Sequence, residues 1–164
     1  VVAGGLCGVP RCVRGGGVTG KIIMHGTSSP YGHSFLVMPE GRVSEARPGG
    51  AGEADLAKYV AMGAVFNDQE PLTDEFRRSV CEIARSYYGA GYDWAAIANL
   101  ALNVLGRQTP LLPVGNRNKF ICSQWVTVHS TAAGKIYCPT IDRWQVSPRT
   151  LADRITQRAW EVRV

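Results

Sequence analysis

The sequence predicts an α+β domain, with its strands gathered ahead of its helices. Two observations carry this expectation. From Lys21 to Phe66, short β-rich runs alternate with turns built from Gly, Pro and Ser. From Leu72 to Ala133, apolar residues recur at helical spacing behind capping residues. Segregation into blocks favours α+β over an alternating parallel α/β fold. At 164 residues, with 45% hydrophobic and 19% charged side chains, one domain can bury a core without staples.

Taken in order, residues 1–19 read as a Gly-rich N-terminal arm, from Gly4-Gly5, Gly8 and Gly15-Gly16-Gly17, ahead of a single domain over residues 20–164. Lys21 to His25 is expected as a strand that ends at Gly26-Thr27-Ser28-Ser29-Pro30. His33 to Met38 forms a second strand, Pro39-Glu40-Gly41 a turn, and Arg42 to Ala46 the returning strand. Gly49-Gly50-Ala51-Gly52 reads as a loop, and Tyr59 to Phe66 as a further strand. Leu72-Thr73-Asp74 caps a helix to Tyr88 that carries Phe76, Val80, Ile83, Ala84 and Tyr87 on one face, with Gly89-Ala90-Gly91 as its stop. Asp93 caps a second helix from Trp94 to Leu105, and residues 106–119 form a polar loop. A third helix starts near Cys122 and runs to about Ala133. Ser147-Pro148 places a cap before proline at the first helical position, opening a short helix through Asp153. Ala159 to Val164 reads as a terminal strand.

The net charge of +5 suits an anionic partner such as cell-wall polymer, nucleic acid or lipid head groups. The basic residues are scattered, however, and no RNA-binding signature accompanies them, so no specific nucleic acid is expected. No apolar run reaches the roughly 18 residues that a membrane-spanning helix needs. Val1 to Gly20 lacks a continuous apolar stretch, so no cleaved signal peptide is visible. Of the five cysteines, Cys7 and Cys12 are spaced for a small disulfide loop, half a metal site or two plain thiols. No second close pair supports zinc, and no metal or cofactor is expected. Cys81 falls on the apolar face of a helix, and Cys138 lies in a loop before Pro139.

Cys122 is the remaining thiol, in Phe120-Ile121-Cys122-Ser123-Gln124-Trp125-Val126. A cysteine at a helix start feels the positive end of the backbone dipole, which favours thiolate. His33 and Glu45 lie twelve residues apart across the Pro39-Glu40-Gly41 turn. A three-residue turn pairs Met38 with Arg42, Phe35 with Glu45 and His33 with Arg47. Glu45 then shares a face with His33 as its diagonal neighbour, whereas a one-residue slip would send it to the other face. A thiol, an imidazole and a carboxylate that orients the imidazole are the minimum parts of a cysteine-nucleophile site. Each residue taken alone has a plainer role, in the core or on the surface. His25 and His129 are rival imidazoles, but His129 lies about 10 Å along the helix from Cys122, at ~1.5 Å per residue, too far for direct pairing.

These segments resemble the NlpC-type papain-like superfamily, specifically its circularly permuted branch of amidases and lecithin:retinol-acyltransferase-like proteins. Gly32-His33-Ser34-Phe35-Leu36-Val37-Met38 is similar to the family's base-bearing strand, and Gly41-Arg42-Val43-Ser44-Glu45-Ala46 to the strand carrying its third polar residue. Gly91-Tyr92-Asp93-Trp94 and Cys122-Ser123-Gln124-Trp125-Val126 resemble the nucleophile region, and Ser147-Pro148 a segment that follows the nucleophile helix. The resemblance spans roughly residues 20–155. Phe120-Ile121 stands where the family usually has a polar residue before the cysteine, and the Gly-rich arm has no counterpart.

The resemblance implies a papain-like fold, with an antiparallel sheet packed against helices and the nucleophile at a helix N-terminus. It implies Cys122 as nucleophile, His33 as base and Glu45 as orienting residue, with Tyr92 and Ser123 in substrate-binding or supporting places. The reaction it implies is hydrolysis of an amide through a thioester, with peptidoglycan stem peptides as leading substrate. Such a protein would work outside the cell, at the cell wall or on a phage particle. Two alternatives are a lipid-directed acyltransferase using the same triad, and a structural or binding component of a phage tail or secreted assembly. In that last case the N-terminal arm would engage partner proteins.

Overall fold

The structure is a computed structural model that describes residues 8, 10–15, 17–62, 65–67, 72–104, 118–142 and 144–161. Its elements are β1 (Pro10–Val13), α1 (Gly17–Gly26), β2 (His33–Val37), β3 (Arg42–Arg47), β4 (Gly50–Asp55), α2 (Leu56–Val60), β5 (Val65–Asn67), α3 (Asp74–Ser86), β6 (Gly91–Tyr92), α4 (Trp94–Val104), β7 (Lys119–Phe120), α5 (Cys122–Ala132) and α6 (Pro148–Glu161). The fold is mixed α+β. Five strands form one antiparallel sheet in the order β4-β3-β2-β1-β5, and β6 and β7 make a short parallel pair.

The β2–β3 hairpin has the register read from the sequence: Leu36 pairs with Ser44 and Val37 with Val43. Its turn needs two consecutive left-handed residues, Glu40 at φ 58° and Gly41 at φ 72°. Glycine meets that demand without steric cost, and Met38 N–H then closes onto the Arg42 carbonyl at 2.9 Å. Alternation along the strands splits the core in two. Leu36, Ala46 and Cys12 join the large cluster under α3, α5 and α6, whereas Phe35, Val37, Val43 and Val13 pack with Ala54 and Tyr59. Trp125 of α5 is fully buried at the centre of the large cluster, and its indole N–H donates to Ser44 Oγ at 3.0 Å.

Helices α3, α4 and α5 follow the sequence reading closely, and α6 starts where the sequence places it. Thr73 Oγ1 accepts from Phe76 N–H at the start of α3, and Asp93 Oδ1 accepts from Ala96 N–H at the start of α4. α5 begins at Cys122. Ser147 Oγ accepts from Thr150 N–H, capping α6 ahead of Pro148.

Other expectations are corrected. Residues 10–13 are not part of an arm: β1 lies inside the sheet between β2 and β5, because Cys12 and Val13 bury apolar side chains there. Residues 21–25 are helical rather than a strand. Ile22-Ile23-Met24 is too short an apolar run for periodicity to separate the two, and Gly26 lets α1 approach the Leu100 carbonyl of α4. Gly50 to Gly52 belong to β4, paired with β3 along its length, rather than to a loop. The expected strand 59–66 is broken, with Tyr59 in α2 and Val65 in β5. Residues 159–161 continue α6, which runs well beyond Asp153, and residues 162–164 lie outside the described residues. Most of the 106–119 loop and Cys7 also lie outside them. Among the described residues, no helix is long and apolar enough to cross a membrane.

Candidate active site

His33 is the first residue of β2, at the end of the sheet that faces the start of α5. The residue before it must be glycine. A Cβ on Gly32 would meet the Gly15 carbonyl oxygen at 2.2 Å and the Gly20 oxygen at 2.8 Å. Three backbone segments thus converge beside the imidazole, and its position is set by main chain rather than by long side chains.

Glu45 comes from the partner strand on the same face, as the hairpin register requires. His33 Nε2–H donates to Glu45 Oε2 at 2.5 Å. The Tyr59 hydroxyl donates to the same oxygen, and Arg47 Nη1 stands 3.5 Å from Oε1. Tyr59 also stacks on the imidazole, with ring centroids 5.5 Å apart. Glu45 has no exposed surface. Burial opposes its charge, but His33, Tyr59 and Arg47 outweigh that and hold its pKa below the usual carboxylate value.

With Nε2 committed to Glu45, the imidazole nitrogen left for a second partner is Nδ1. The neighbouring Cys122 side chain favours the charged form of the imidazole. Burial works against the imidazolium; Cys122, followed by Glu45, reverses the effect and raises His33 to about 9. The imidazolium is thereby favoured, with Glu45 as its hydrogen-bonded carboxylate partner. Cys122 occupies the first position of α5, where backbone N–H groups lack intrahelical partners. Gln124 Oε1 reaches back to accept from Ile121 N–H at 2.9 Å, fixing this turn although Ile121 offers no capping side chain.

Tyr92 arrives through the parallel β6–β7 pair, in which it is opposite Phe120, two residues before Cys122. Burial, then the Cys122 charge, then Asp93 push its phenol pKa upward. Ser123 is fully buried and donates to the Val146 carbonyl at 2.6 Å. It braces the approach to α6 and is not among the residues that line the cavity next to His33.

A cavity of about 300 Å³ opens beside these groups, lined by His33, Glu45, Arg47, Lys58, Tyr59 and Tyr92 together with the first turns of α1. Cys122 itself has no exposed surface. His33, Tyr59 and Tyr92 are the cavity residues that also feel its charge.

Sequence reasoning missed Tyr59 and Arg47. Arg47 was legible, since it lies two residues past Glu45 on one strand face. Tyr59 was not, because the turn into α2 that aims it at Glu45 carries no short motif. The rival imidazoles stand elsewhere: His25 is exposed on α1, and His129 donates from Nδ1 to the Trp125 carbonyl at 2.6 Å within the core. Cys12 is a free buried thiol beside Ser34 Oγ, 3.4 Å away, its pKa pushed up to about 12 mainly by burial. No group of three or more potential metal ligands occurs among the described residues. The sequence matches no protein-family model and no curated protein.

Proposed function

We propose that this chain is a cysteine hydrolase of the permuted papain-like type, cleaving an amide bond through a thioester on Cys122. The observation that carries the reading is the 2.5 Å His33–Glu45 hydrogen bond beside Cys122, with the thiol at the start of α5 and the carboxylate sequestered behind the imidazole. Thiolate attack on the amide carbonyl places negative charge on its oxygen, near the unpaired N–H groups of the first turn of α5. His33 Nδ1–H then protonates the departing amine, leaving an acyl-thioester. Neutral His33 next takes a proton from water, which attacks the thioester and releases a carboxylic acid and the thiolate. Glu45 holds the tautomer and stabilises the imidazolium in both halves. Peptidoglycan stem peptides are the leading substrate class, on the resemblance of the motifs and on the basic residues Arg47 and Lys58 among those that line the cavity.

A second reading has one observation in its favour. The thiol has no exposed surface, which suits a structural or binding module that keeps the fold while its site stays sealed. Alkylation by iodoacetamide of the native protein, read by peptide mass spectrometry, separates the two. Selective labelling of Cys122 near pH 6, at least tenfold slower in His33→Ala, is expected of an activated thiol–imidazole pair. Labelling no faster than at Cys81 or Cys138 would put the structural module first.

A further inference from the structure

Resting on the cysteine-hydrolase reading, we propose that Gln124 is a positioning residue for the nucleophile. Its carboxamide ties the first turn of α5 to residues 144–146 and so sets where the Cys122 thiolate stands relative to His33.

Gln124 is the third residue of α5 and has no exposed surface. Both ends of its carboxamide are engaged. Oε1 accepts from Ile121 N–H at 2.9 Å, immediately before the nucleophile, and Nε2–H donates to the Trp144 carbonyl at 2.6 Å. A helix cap accounts for the first bond alone, since the second leaves the helix for a segment 20 residues along the chain. Ser123 makes a companion tie to the Val146 carbonyl at 2.6 Å. The segment is itself held from behind. Trp144 N–H donates to Asp142 Oδ1 at 3.0 Å, Gln145 N–H donates to the Asp142 carbonyl at 2.7 Å, and the Trp144 ring stacks on Phe120 with centroids 5.7 Å apart. Phe120, Ser123 and Gln124 thus bracket Cys122 with contacts to one short stretch of chain.

His33 is seated by the sheet and Cys122 by the start of α5, so their alignment depends on how that turn is anchored. A carboxamide supplies the donor and the acceptor that the two ties require. An ionised glutamate keeps the acceptor and loses the donor, and methionine, of similar length, keeps neither. A cavity of about 90 Å³ lined by Ile121, Gln124, Trp144 and Gln145 adjoins the ties, which leaves the turn room to shift once they are cut. A displacement of about 1 Å is enough to slow a reaction on the order of 100-fold.

The test follows iodoacetamide labelling of Cys122 from about pH 5 to 8 in the wild type, Gln124→Met and Gln124→Glu, as the ratio of variant to wild-type rate at each pH. Cys81 and Cys138 report opening of the core. Gln124→Met should be about 10- to 100-fold slower throughout, with no dependence of the ratio on pH. Gln124→Glu should label near the wild-type rate at about pH 5, where burial keeps the carboxyl protonated and able to donate to the Trp144 carbonyl. Its ratio should fall toward that of Gln124→Met as the acid ionises. Recovery of this kind, with Cys81 and Cys138 slow at every pH, is not expected of a residue that only stabilises the domain. A wild-type rate in Gln124→Met overturns the positioning role, and a fall seen in Gln124→Glu alone would then be charge repulsion of the thiolate. Should Gln124→Met open the whole core, Cys81 and Cys138 will label with Cys122, and Gln124→Glu decides. A fall at Cys122 with the other two still slow upholds the role, and an unchanged ratio overturns it. A wild-type Cys122 labelled no faster than Cys81 or Cys138 sinks the hydrolase itself, and the positioning role with it.

Discussion

At the scale of single residues, the site turns on how many donors converge on one buried carboxylate. Glu45 Oε2 accepts from both His33 and Tyr59, and Oε1 faces Arg47, so the charge is satisfied without water. Tyr59 touches no reacting atom; it is a positioning residue. A hydrogen bond to a charged group contributes about 1.5–3 kcal/mol, which bounds the loss in transition-state stabilisation on Tyr59→Phe at roughly 10- to 150-fold in kcat/KM. Because the ring stack on His33 survives, the loss should appear mainly in kcat. Loss of Cys122 should abolish turnover, whereas Glu45→Gln should only reduce it. The pH profile offers a sharper check. His33 is raised to about 9, so the imidazolium that protonates the leaving amine is lost as pH climbs through that value, and kcat/KM should fall on the alkaline side near pH 9. Glu45→Gln removes the carboxylate partner and should move this limb downward, toward the ordinary histidine value of 6.5 without reaching it, since Cys122 contributes more than Glu45. An alkaline limb that stays in place in Glu45→Gln would dissociate the carboxylate from the base.

At the scale of elements, the junction of α1 with β2 positions the base. The Gly15 oxygen is wedged where Cβ atoms of Gly20 and Gly32 would each lie 2.2 Å away, and main chain has little room to yield. Gly32→Ala should therefore displace either the start of α1 or His33 itself, at a stability cost of about 1–3 kcal/mol typical of overpacking. Cys122 labelling should slow along with it. Labelling at the wild-type rate in a less stable Gly32→Ala variant would mean that α1 alone gives way. The contrast between elements explains what the sequence could disclose. The β2–β3 register was legible because a three-residue turn with Gly41 fixes pairing and alternation fixes faces, and Glu45 fell beside His33 on those two facts. The starts of α3, α4 and α6 were legible from Thr73, Asp93 and Ser147-Pro148, side chains that act on their own backbone. β1 and α1 were not. The glycines around them read as a flexible arm, yet Gly15 and Gly17 hold positive φ and Gly20 admits the Gly15 carbonyl, demands that leave no local pattern. β4 was hidden likewise, since Gly50, Ala51 and Gly52 carry little strand propensity and are held by pairing with β3.

At the scale of the whole molecule, two histidines with opposite environments set the pH range of the fold. His129 sits in the core against Trp125, Tyr87 and Phe120, with ring centroids 4.1, 5.2 and 5.6 Å away, and its Nε2 is buried without a hydrogen-bond partner. Burial lowers it to about 4, only partly countered by the bond to the Trp125 carbonyl. Between about 6.5 and 4 the unfolded chain binds a proton that the folded chain refuses, so stability present above 6.5 falls as pH drops through this window. The difference of about 2.5 pH units corresponds to on the order of 3 kcal/mol. His33 works the other way: its folded value of about 9 exceeds 6.5, so its contribution is complete below 6.5 and is lost as pH rises through 9. Stability should thus peak near neutrality and decline on both sides. Urea midpoints measured from pH 4 to 9.5 should trace that dome in the wild type. His129→Phe, which keeps a ring in the aromatic cluster, should flatten the acid side alone, and His33→Ala the alkaline side alone. An acid slope that persists unchanged in His129→Phe would assign the loss to carboxylates such as Glu45, whose lowered pKa costs stability only as pH falls below about 4.5.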